Sequence, residues 1–276
     1  MSNKFWKTFS IVLNVLFDDV EIHQNMFESS YINSDDVELV TMLLEYTEIK
    51  LSSDYNDVIA IHVASSIGRV AVVDRLLQDK RVDPSDNFNG PIRIASEYGQ
   101  VAVVDRLLQD KRVDPSDHFN EAIRMASGNG HIAVVDRLLQ DGTGRVDPSV
   151  DNNYAIRIAS HNGHIDVMDR LLQDKRVNPS DYDNYAIRWA SDNGHVAVVD
   201  RLLQESRVDP SADNNFAICL ASENGHVAVV NRLLQDPRVD PSADENSAIC
   251  LASENGHIAV VNRLLQDPRV KKLYTL

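Results

Sequence analysis

Five histidines recur at one position of the chain, and histidine is the side chain that most often binds metals. They return at a nearly constant interval, each directly after a glycine, at His131, His164, His195, His226 and His257. Packed helices lie about 8 to 10 Å apart, so equivalent atoms in neighbouring units are separated by that distance. A zinc ion needs all of its histidine ligands within about 2.1 Å. The spacing therefore predicts histidines with a structural role at the start of a helix, and no metal site.

Arginines stand six residues before a recurring glycine, and aspartates stand six residues after it. An antiparallel helical hairpin would bring each such pair together: Arg93 with Asp105, Arg124 with Asp136, Arg157 with Asp169, and Arg188 with Asp200. Where the arginine becomes Cys219 or Cys250, the aspartate becomes Asn231 or Asn262. Such a joint loss of charge is expected if an unpaired buried charge is costly. The pattern predicts an internal Arg–Asp ladder with a structural role.

No other residue pattern in the sequence predicts catalysis. Gly142-Thr143-Gly144 is too short for a phosphate-binding loop and has no lysine after it. The carboxylates recur with the same period as the histidines, so they mark a scaffold and not one special place. Cys219 and Cys250 occupy equivalent positions about 10 Å apart, beyond the reach of a disulfide, and predict free thiols in a reducing compartment. We therefore expect a cytoplasmic protein that is not an enzyme and uses no cofactor.

A glycine that returns at a nearly fixed interval defines the elements that carry these residues. The copies are Gly68, Gly99, Gly130, Gly163, Gly194, Gly225 and Gly256. Successive copies are equally spaced, except that Gly130 and Gly163 are slightly farther apart. An interval of about 20 to 50 residues is typical of stacked repeats. The pattern predicts a first helix from about Tyr154 to Asn162, a left-handed helix stop at Gly163, and a second helix from about Ile165 to Gln173. After it, Val177-Asn178-Pro179-Ser180 predicts a turn in which the Asn and Ser side chains bond local backbone.

These repeats resemble a known family. Ile59-Ala60-Ile61-His62-Val63-Ala64 is similar to the ankyrin motif Thr-Pro-Leu-His-x-Ala, and Gly194-His195 with Val198-Val199 and Leu202-Leu203 matches the second ankyrin helix. The resemblance covers about residues 55 to 270 in seven copies. It implies an all-α ankyrin-repeat solenoid of stacked helix-turn-helix units with short projecting turns.

The chain departs from the ankyrin pattern in two ways. Its period is shorter than the usual one, and arginine or cysteine replaces the motif histidine in six of the seven copies. This arginine-rich form is similar to arrays encoded by large DNA viruses of amoebae and by some protists, which would place the protein in the host cytoplasm.

The two ends of the chain are less regular than the repeats. Residues 1–19 hold an apolar stretch that is too short to span a bilayer and predicts a helix capping the open end of the stack. Residues 20–54 predict a degenerate ankyrin-like repeat, and residues 271–276 form a tail. The last repeat keeps its apolar pattern although arrays normally need a polar cap. Either the tail folds back, or this end meets another chain.

The resemblance implies that a partner protein binds along the concave groove formed by the turns and first helices. Side chains that differ between copies at these positions are the candidate contacts: Tyr154, Tyr182, Tyr185, Phe216, Asp183, Asp213, His161, Asp192 and Glu223. Aromatic residues often dominate interface energies. Phe88 and Phe119 are expected to cover the stack, and Trp189, which aligns with apolar residues of neighbouring repeats, is expected in the core.

The formal charge of −15 argues against binding to nucleic acid or to an anionic membrane, and it would attract a basic partner. We expect a non-catalytic scaffold for protein–protein interaction. Two alternatives stay open. One is a structural protein that self-assembles through the uncapped C-terminal repeat. The other is a substrate adaptor that recruits ubiquitin machinery through residues 1–54.

Overall fold

A computed structural model describes residues 56–142 and 144–271 of the 276-residue chain. Helices are the only regular secondary structure in these two ranges, which confirms the predicted all-α fold class. The predicted capping helix at 1–19, the degenerate repeat at 20–54, and residues 272–276 of the predicted tail lie outside the described residues. The adaptor hypothesis therefore stays a hypothesis.

The described residues form fifteen helices that alternate between a longer first helix and a shorter second helix in each repeat. In chain order they are α1 Asn56–Ser66, α2 Val70–Leu77, α3 Asp86–Glu97, α4 Val101–Leu108, α5 Asp117–Gly128, α6 Ile132–Leu139, α7 Val150–His161, α8 Ile165–Leu172, α9 Asp181–Asp192, α10 Val196–Leu203, α11 Ala212–Glu223, α12 Val227–Leu233, α13 Ala243–Glu254, α14 Ile258–Leu264 and α15 Pro268–Lys271. The chain divides after Asp117 into two compact units.

Each unit buries its apolar residues between stacked helices. In the second unit α7, α9, α11 and α13 pack side by side, as do α6, α8, α10, α12 and α14. In the first unit α1 packs on α3 and α2 on α4. Within one repeat, Ile156 of the first helix and Leu171 of the second are both 0% exposed. The core is therefore a continuous layer between the two rows of helices in each unit.

The glycine between the two helices of a repeat ends the first helix as predicted. Gly163 has φ +78, a left-handed value that costs glycine nothing because it lacks a Cβ atom. The next backbone N–H, that of His164, donates to the carbonyl of Ala159 at 2.9 Å, the long hydrogen bond of a Schellman helix end. The second helix then begins at Ile165, where the sequence predicted it.

A short left-handed turn, which the sequence did not predict, opens the first helices of repeats two to seven. In α7 the three residues Asp151, Asn152 and Asn153 have φ values of 53, 52 and 58. Asp and Asn tolerate this region better than other residues with a side chain. The right-handed part of α7 therefore begins at Tyr154, which is where the sequence predicted the helix to start.

The third residue of each left-handed turn is an asparagine, and in repeats two to six it joins its repeat to the following one. Asn153 is 3% exposed, and its Oδ1 accepts a hydrogen bond from the backbone N–H of Asn178 at 2.7 Å. Its Nδ2 donates to Asp181 Oδ2 at 2.6 Å. The equivalent asparagines accept from the same turn position of the following repeat: Asn89 from Asp114, Asn120 from Asp147, Asn184 from Asp209, and Asn215 from Asp240.

The turn after the second helix is held by its own side chains, as predicted. The Ser180 hydroxyl and backbone N–H donate to Asn178 Oδ1 at 2.8 and 3.3 Å. Arg176, just before this turn, donates to both carboxylate oxygens of Asp174 at 3.0 and 2.6 Å. Its Nη1 also donates to the carbonyl of Val146, in the preceding repeat, at 3.1 Å. An Arg–Asp pair thus fixes this turn to its neighbour, and Arg112, Arg238 and Arg269 make the same contacts in other repeats.

The aspartates that precede these turns should make the protein less stable at acid pH. The pKa of Asp79 is lowered to about 2, chiefly by side-chain hydrogen bonding to Arg81. A side-chain hydrogen bond with the arginine two positions later likewise lowers the pKa of Asp110, Asp174, Asp236 and Asp267. A lowered folded-state pKa adds stability above the unfolded value of about 3.9, and this stability is lost as the pH falls through the folded value. We expect the melting temperature to fall from about pH 4 to pH 2, and to fall less in Asp236→Asn, as measured by circular dichroism. Identical pH profiles for the two proteins would contradict this.

The predicted pairing of first-helix arginines with second-helix aspartates is wrong in the second unit. Asp169 accepts a hydrogen bond at 2.7 Å from Nε of Arg201, which lies in the second helix of the next repeat. The same contact joins two other pairs, Asp136 with Arg170 and Asp200 with Arg232. The ladder runs between second helices because these helices pack side by side.

The first-helix arginines instead contact the left-handed turns. Arg124 pairs with Asp151 at 2.9 Å, and Arg188 pairs with Asp213 at 2.8 Å. Nη2 of Arg157 donates to the backbone carbonyl of Asp151 at 3.0 Å. In the first unit, Nη1 of Arg93 donates to the carbonyl of Asn87 at 2.9 Å. These arginines therefore lie at the turn end of the first helices.

The asparagine that accompanies Cys219 has a different explanation from the one the sequence suggested. Asn231 Oδ1 accepts a hydrogen bond from Arg263 Nε at 2.6 Å, so the amide takes the place of the carboxylate in the second-helix ladder. Burial raises the pKa of the Cys219 thiol to about 11, so the thiol is protonated at neutral pH. The residue at position 231 therefore has its own partner in the next repeat, whichever residue stands at position 219.

The ladder can be tested for a structural role by comparing Asp136→Ala with Ile123→Ala. The side chains of Asp136 and Arg170 are 42% and 20% exposed, and ion pairs as exposed as these contribute at most about 1 kcal/mol. Ile123 is 0% exposed, and its truncation should cost at least about 2 kcal/mol. Urea unfolding would measure both changes. An equal loss of stability in the two variants would show that the ladder holds the repeats together.

Candidate functional site

Several large aromatic side chains remain exposed at the turn end of the first helices in the second unit. Tyr154, Tyr182 and Phe216 are 36%, 60% and 39% exposed, and Tyr185 is half-buried. Tyr154, Tyr185 and Phe216 each follow the left-handed turn, whereas Tyr182 is the first residue of that turn in α9. The turn sequence therefore presents these rings together at one end of the helices.

Three of the predicted tyrosines surround one arginine. The guanidinium carbon of Arg157 lies 5.4 Å from the ring centre of Tyr154, 4.8 Å from that of Tyr182 and 4.9 Å from that of Tyr185. The rings of Tyr182 and Tyr185 also contact each other edge to face, with their centres 5.8 Å apart. A guanidinium near the faces of aromatic rings is attracted by their π electrons. We call these four residues the tyrosine–arginine cluster.

The tyrosine–arginine cluster exists because one turn residue differs between repeats. The first left-handed residue is Asp151 in α7 and Asp213 in α11, but it is Tyr182 in α9. Arg157 is 9% exposed, and it forms no ion pair among the described residues. Its Nε is buried without a hydrogen-bond partner among them, as are those of Arg124 and Arg188, so the missing ion pair is what distinguishes Arg157. Tyrosine rings thus replace the carboxylate beside this arginine.

Trp189 and His161 extend the aromatic surface toward the other end of the first helices. The Trp189 ring lies 5.2 Å from that of Tyr185 and 5.4 Å from that of His161. The expectation that Trp189 lies in the core is wrong, because it is only half-buried. The equivalent residues Ile158 and Leu220 are half-buried too, so an apolar residue in neighbouring repeats did not indicate a core position.

The polar candidate residues are distributed over three repeats. His161, Asp192 and Glu223 are the last residues of α7, α9 and α11. The Asp192 side chain accepts a hydrogen bond from Asn224 Nδ2 at 2.9 Å. Asp183 is exposed in the turn of α9, whereas the carboxylate of Asp213 pairs with Arg188. Phe216 lies over Arg188, with its ring centre 5.9 Å from the guanidinium carbon, so it is next to a different arginine from the three tyrosines.

The periodic histidines hold neighbouring repeats together. Nε2 of His195 lies 3.0 Å from the backbone carbonyl of His161, and Nε2 of His226 lies 2.8 Å from that of Asp192. Each ring also packs against the glycine of the preceding repeat, so that a Cβ atom at Gly194 would lie 2.7 Å from His226. Within residues 56–142 and 144–271, no group of three or more His, Cys, Asp or Glu residues could hold a metal ion.

Comparisons with known proteins agree with this architecture. A family model described as "Ankyrin repeats (3 copies)" matches residues 121–214 and 187–273, which together span more than half of the chain. The crystal structure of the human ASB11 ankyrin repeat domain has a TM-score of 0.62 and 20% sequence identity, and the match covers 74% of this chain and 96% of that one. No curated protein matches the sequence. No helix in the described ranges is long and apolar enough to cross a bilayer.

Ankyrin repeats generally mediate protein–protein interaction, and proteins built from them are typically non-enzymatic scaffolds. The family model and the shared fold confirm the resemblance seen in the motifs. The chain belongs to the ankyrin-repeat family.

Proposed function

We propose that this protein is a non-catalytic scaffold that binds a partner protein on the surface formed by Tyr154, Tyr182, Tyr185 and Phe216. The observation that carries this proposal is the packing of three partly exposed tyrosines around Arg157 at distances of 4.8 to 5.4 Å. Rigid aromatic residues with a polar tip supply large contact areas and often dominate interface energies. In ankyrin arrays these turns and first helices line the concave groove.

The fold itself does not require these rings. Ser247 occupies in α13 the position that Tyr154, Tyr185 and Phe216 occupy in earlier repeats, and Ala248 beside it is still 1% exposed. A serine at this position therefore leaves the packing of the first helix intact. The aromatic residues of the middle repeats are thus available for a partner.

Acidic residues would surround the bound partner. Asp183 and Asp213 are exposed in the turns of α9 and α11, and Asp192 and Glu223 are half-buried at the opposite ends of the same helices. Together with the net charge of −15, they would attract basic groups on a partner at long range. We place the protein in the cytoplasm, a location that its free cysteines favour. Its arginine-rich motif supports a relation to the arrays of giant DNA viruses.

The proposal can be tested by affinity capture from a lysate of the native host with the triple variant Tyr154→Ala, Tyr185→Ala, Phe216→Ala. We expect the intact protein to retain a partner that the triple variant loses, with at least a tenfold change in Kd once the partner is purified. Phe119→Ala is the matched control, because Phe119 does not cover the stack as expected but is 71% exposed in the left-handed turn of another repeat. Equal capture by the intact protein and the triple variant would contradict the proposal.

A second candidate function is self-association through the seventh repeat. Ile258 is 72% exposed, and Cys250 and Ser253 are exposed although Cys219 and Ser222, their equivalents in the sixth repeat, are buried. A molecular mass that rises with protein concentration and is reduced by Ile258→Asp would support it. Val260→Asp is unsuitable for this test, because Val260 is 0% exposed and the substitution would unfold the repeat.

A further inference from the structure

We propose that the partner segment carries an anionic group, a carboxylate or a phosphate, that binds the Arg157 guanidinium between Tyr154, Tyr182 and Tyr185. This inference rests on the proposed function and adds the chemical class of the partner. It starts from a difference between three equivalent arginines. Arg124 and Arg188 each pair with the aspartate that begins the next left-handed turn, at 2.9 and 2.8 Å.

Arg157 lacks this aspartate because Tyr182 occupies its position. Of the five N–H donors of the guanidinium, the described residues accept a hydrogen bond from one, through the carbonyl of Asp151 at 3.0 Å. The carboxylate of Asp151 is paired with Arg124. Arg157 is nevertheless 9% exposed, which makes it the most buried of the three arginines. A buried guanidinium without a counter-charge is unfavourable, so a partner that supplies one gains more here than at an exposed arginine.

The surrounding tyrosines do not supply the missing charge. Burial raises the pKa of Tyr185, so its hydroxyl is protonated at neutral pH and carries no charge. The rings attract the guanidinium through their faces, which leaves its planar edge as the place where hydrogen bonds can form. Carboxylates and phosphates match that edge because they accept two parallel hydrogen bonds from it.

A cationic partner group fits the tyrosine–arginine cluster less well. The Arg157 guanidinium already lies over the faces of the three rings, and it would repel a second cation brought to the same faces. The net charge of −15 opposes an acidic partner at long range, but screening limits that effect to about 8 Å at physiological salt. At contact, the Arg157 guanidinium is the charge closest to the bound group, and the carboxylate of Asp151 beside it is already paired with Arg124. The local geometry therefore favours an acidic segment.

The test uses the full chain and two fluorescein-labelled peptides, one with six glutamates flanked by glycines and one with three phosphoserines spaced by glycine. Fluorescence anisotropy measures their binding, and a peptide with glutamine in place of glutamate is the uncharged control. We expect saturable binding of at least one acidic peptide and none of the glutamine peptide. The stronger of the two acidic peptides identifies the carboxylate or the phosphate as the preferred group.

Two substitutions at one position separate charge from shape. Tyr182→Asp introduces the carboxylate that Asp151 and Asp213 provide in neighbouring repeats, so it should pair with Arg157 and weaken acidic-peptide binding at least tenfold. Tyr182→Asn removes the same ring, suits the left-handed backbone equally well, and adds no charge, so it should bind more tightly than Tyr182→Asp. Asp213→Asn removes the carboxylate beside Arg188 and should add a second, weaker binding event.

Three results would overturn the inference: no saturable binding of either acidic peptide, equal binding of the glutamine peptide, or equal affinities of Tyr182→Asp and Tyr182→Asn. If the acidic peptides fail while the Tyr154, Tyr185, Phe216 variant still loses a captured protein, the proposed function stands and this inference falls. If that triple variant captures its partner normally, the proposed function falls.

Discussion

Gly194→Ala should lower the free energy of unfolding by about 2 to 5 kcal/mol, from the strain of a left-handed alanine and from overpacking of a neighbouring side chain. Gly194 has φ +75, which costs a residue with a Cβ atom about 1 to 2 kcal/mol. An added Cβ would also lie 2.7 Å from the imidazole ring of His226, in the next repeat. Urea unfolding followed by circular dichroism would measure the loss.

Two variants separate the strain from the clash. Gly256 has the same backbone conformation, φ +72, but no described atom lies within 4 Å of an added Cβ. Gly256→Ala should therefore cost only the backbone term. Adding His226→Ala to Gly194→Ala removes the ring that the new methyl group meets, so the two substitutions together should cost less than the sum of their separate effects. If Gly194→Ala and Gly256→Ala are equally destabilising, the histidine does not pack as closely as the structure shows.

The features predicted correctly from sequence depend on residues close to one another in the chain. The left-handed stop involves Gly163 alone, and the hydrogen bonds from Ser180 to Asn178 join residues two positions apart in the chain. Glycine, proline and asparagine determine such local geometry through their own backbone and side-chain preferences. Repetition of these signals was enough to establish the helix-turn-helix unit and the order of its parts.

The pairing of charges could not be predicted from the same pattern. Asp136 follows one arginine, Arg124, within its own repeat and precedes another, Arg170, in the next repeat. In a periodic sequence both spacings recur in every unit, so repetition does not distinguish a contact within one repeat from a contact between two. The direction in which the side chains point determines which of the two contacts forms, and in the structure Asp136 pairs with Arg170.

The tyrosine–arginine cluster was only partly visible in the sequence. Its three tyrosines were candidates because they differ between repeats, whereas Arg157 was assigned to the internal ladder. Comparing the first residues of three successive left-handed turns, Asp151, Tyr182 and Asp213, would have shown that Arg157 is followed by a tyrosine where Arg124 and Arg188 are followed by an aspartate. That comparison is informative only once each turn is known to face the arginine of the preceding repeat. Asp151 and Asp213 pair with Arg124 and Arg188 in this way.

Asn153→Ala should lower the free energy of unfolding by about 3 kcal/mol, through two lost hydrogen bonds and a less favourable left-handed residue. Asn153 joins two repeats, because it accepts from Asn178 N–H at 2.7 Å and donates to Asp181 Oδ2 at 2.6 Å. Its neighbour Asn152 has almost the same backbone angles, φ 52 and ψ 50, but is exposed. Asn152→Ala therefore measures the backbone preference alone, and we expect it to cost about 1 kcal/mol. Urea unfolding of both variants would test this, and equal losses would mean that the buried amide contributes nothing between repeats. A larger loss in Asn153→Ala would show that the repeats are joined by polar contacts at the turns as well as by their apolar core.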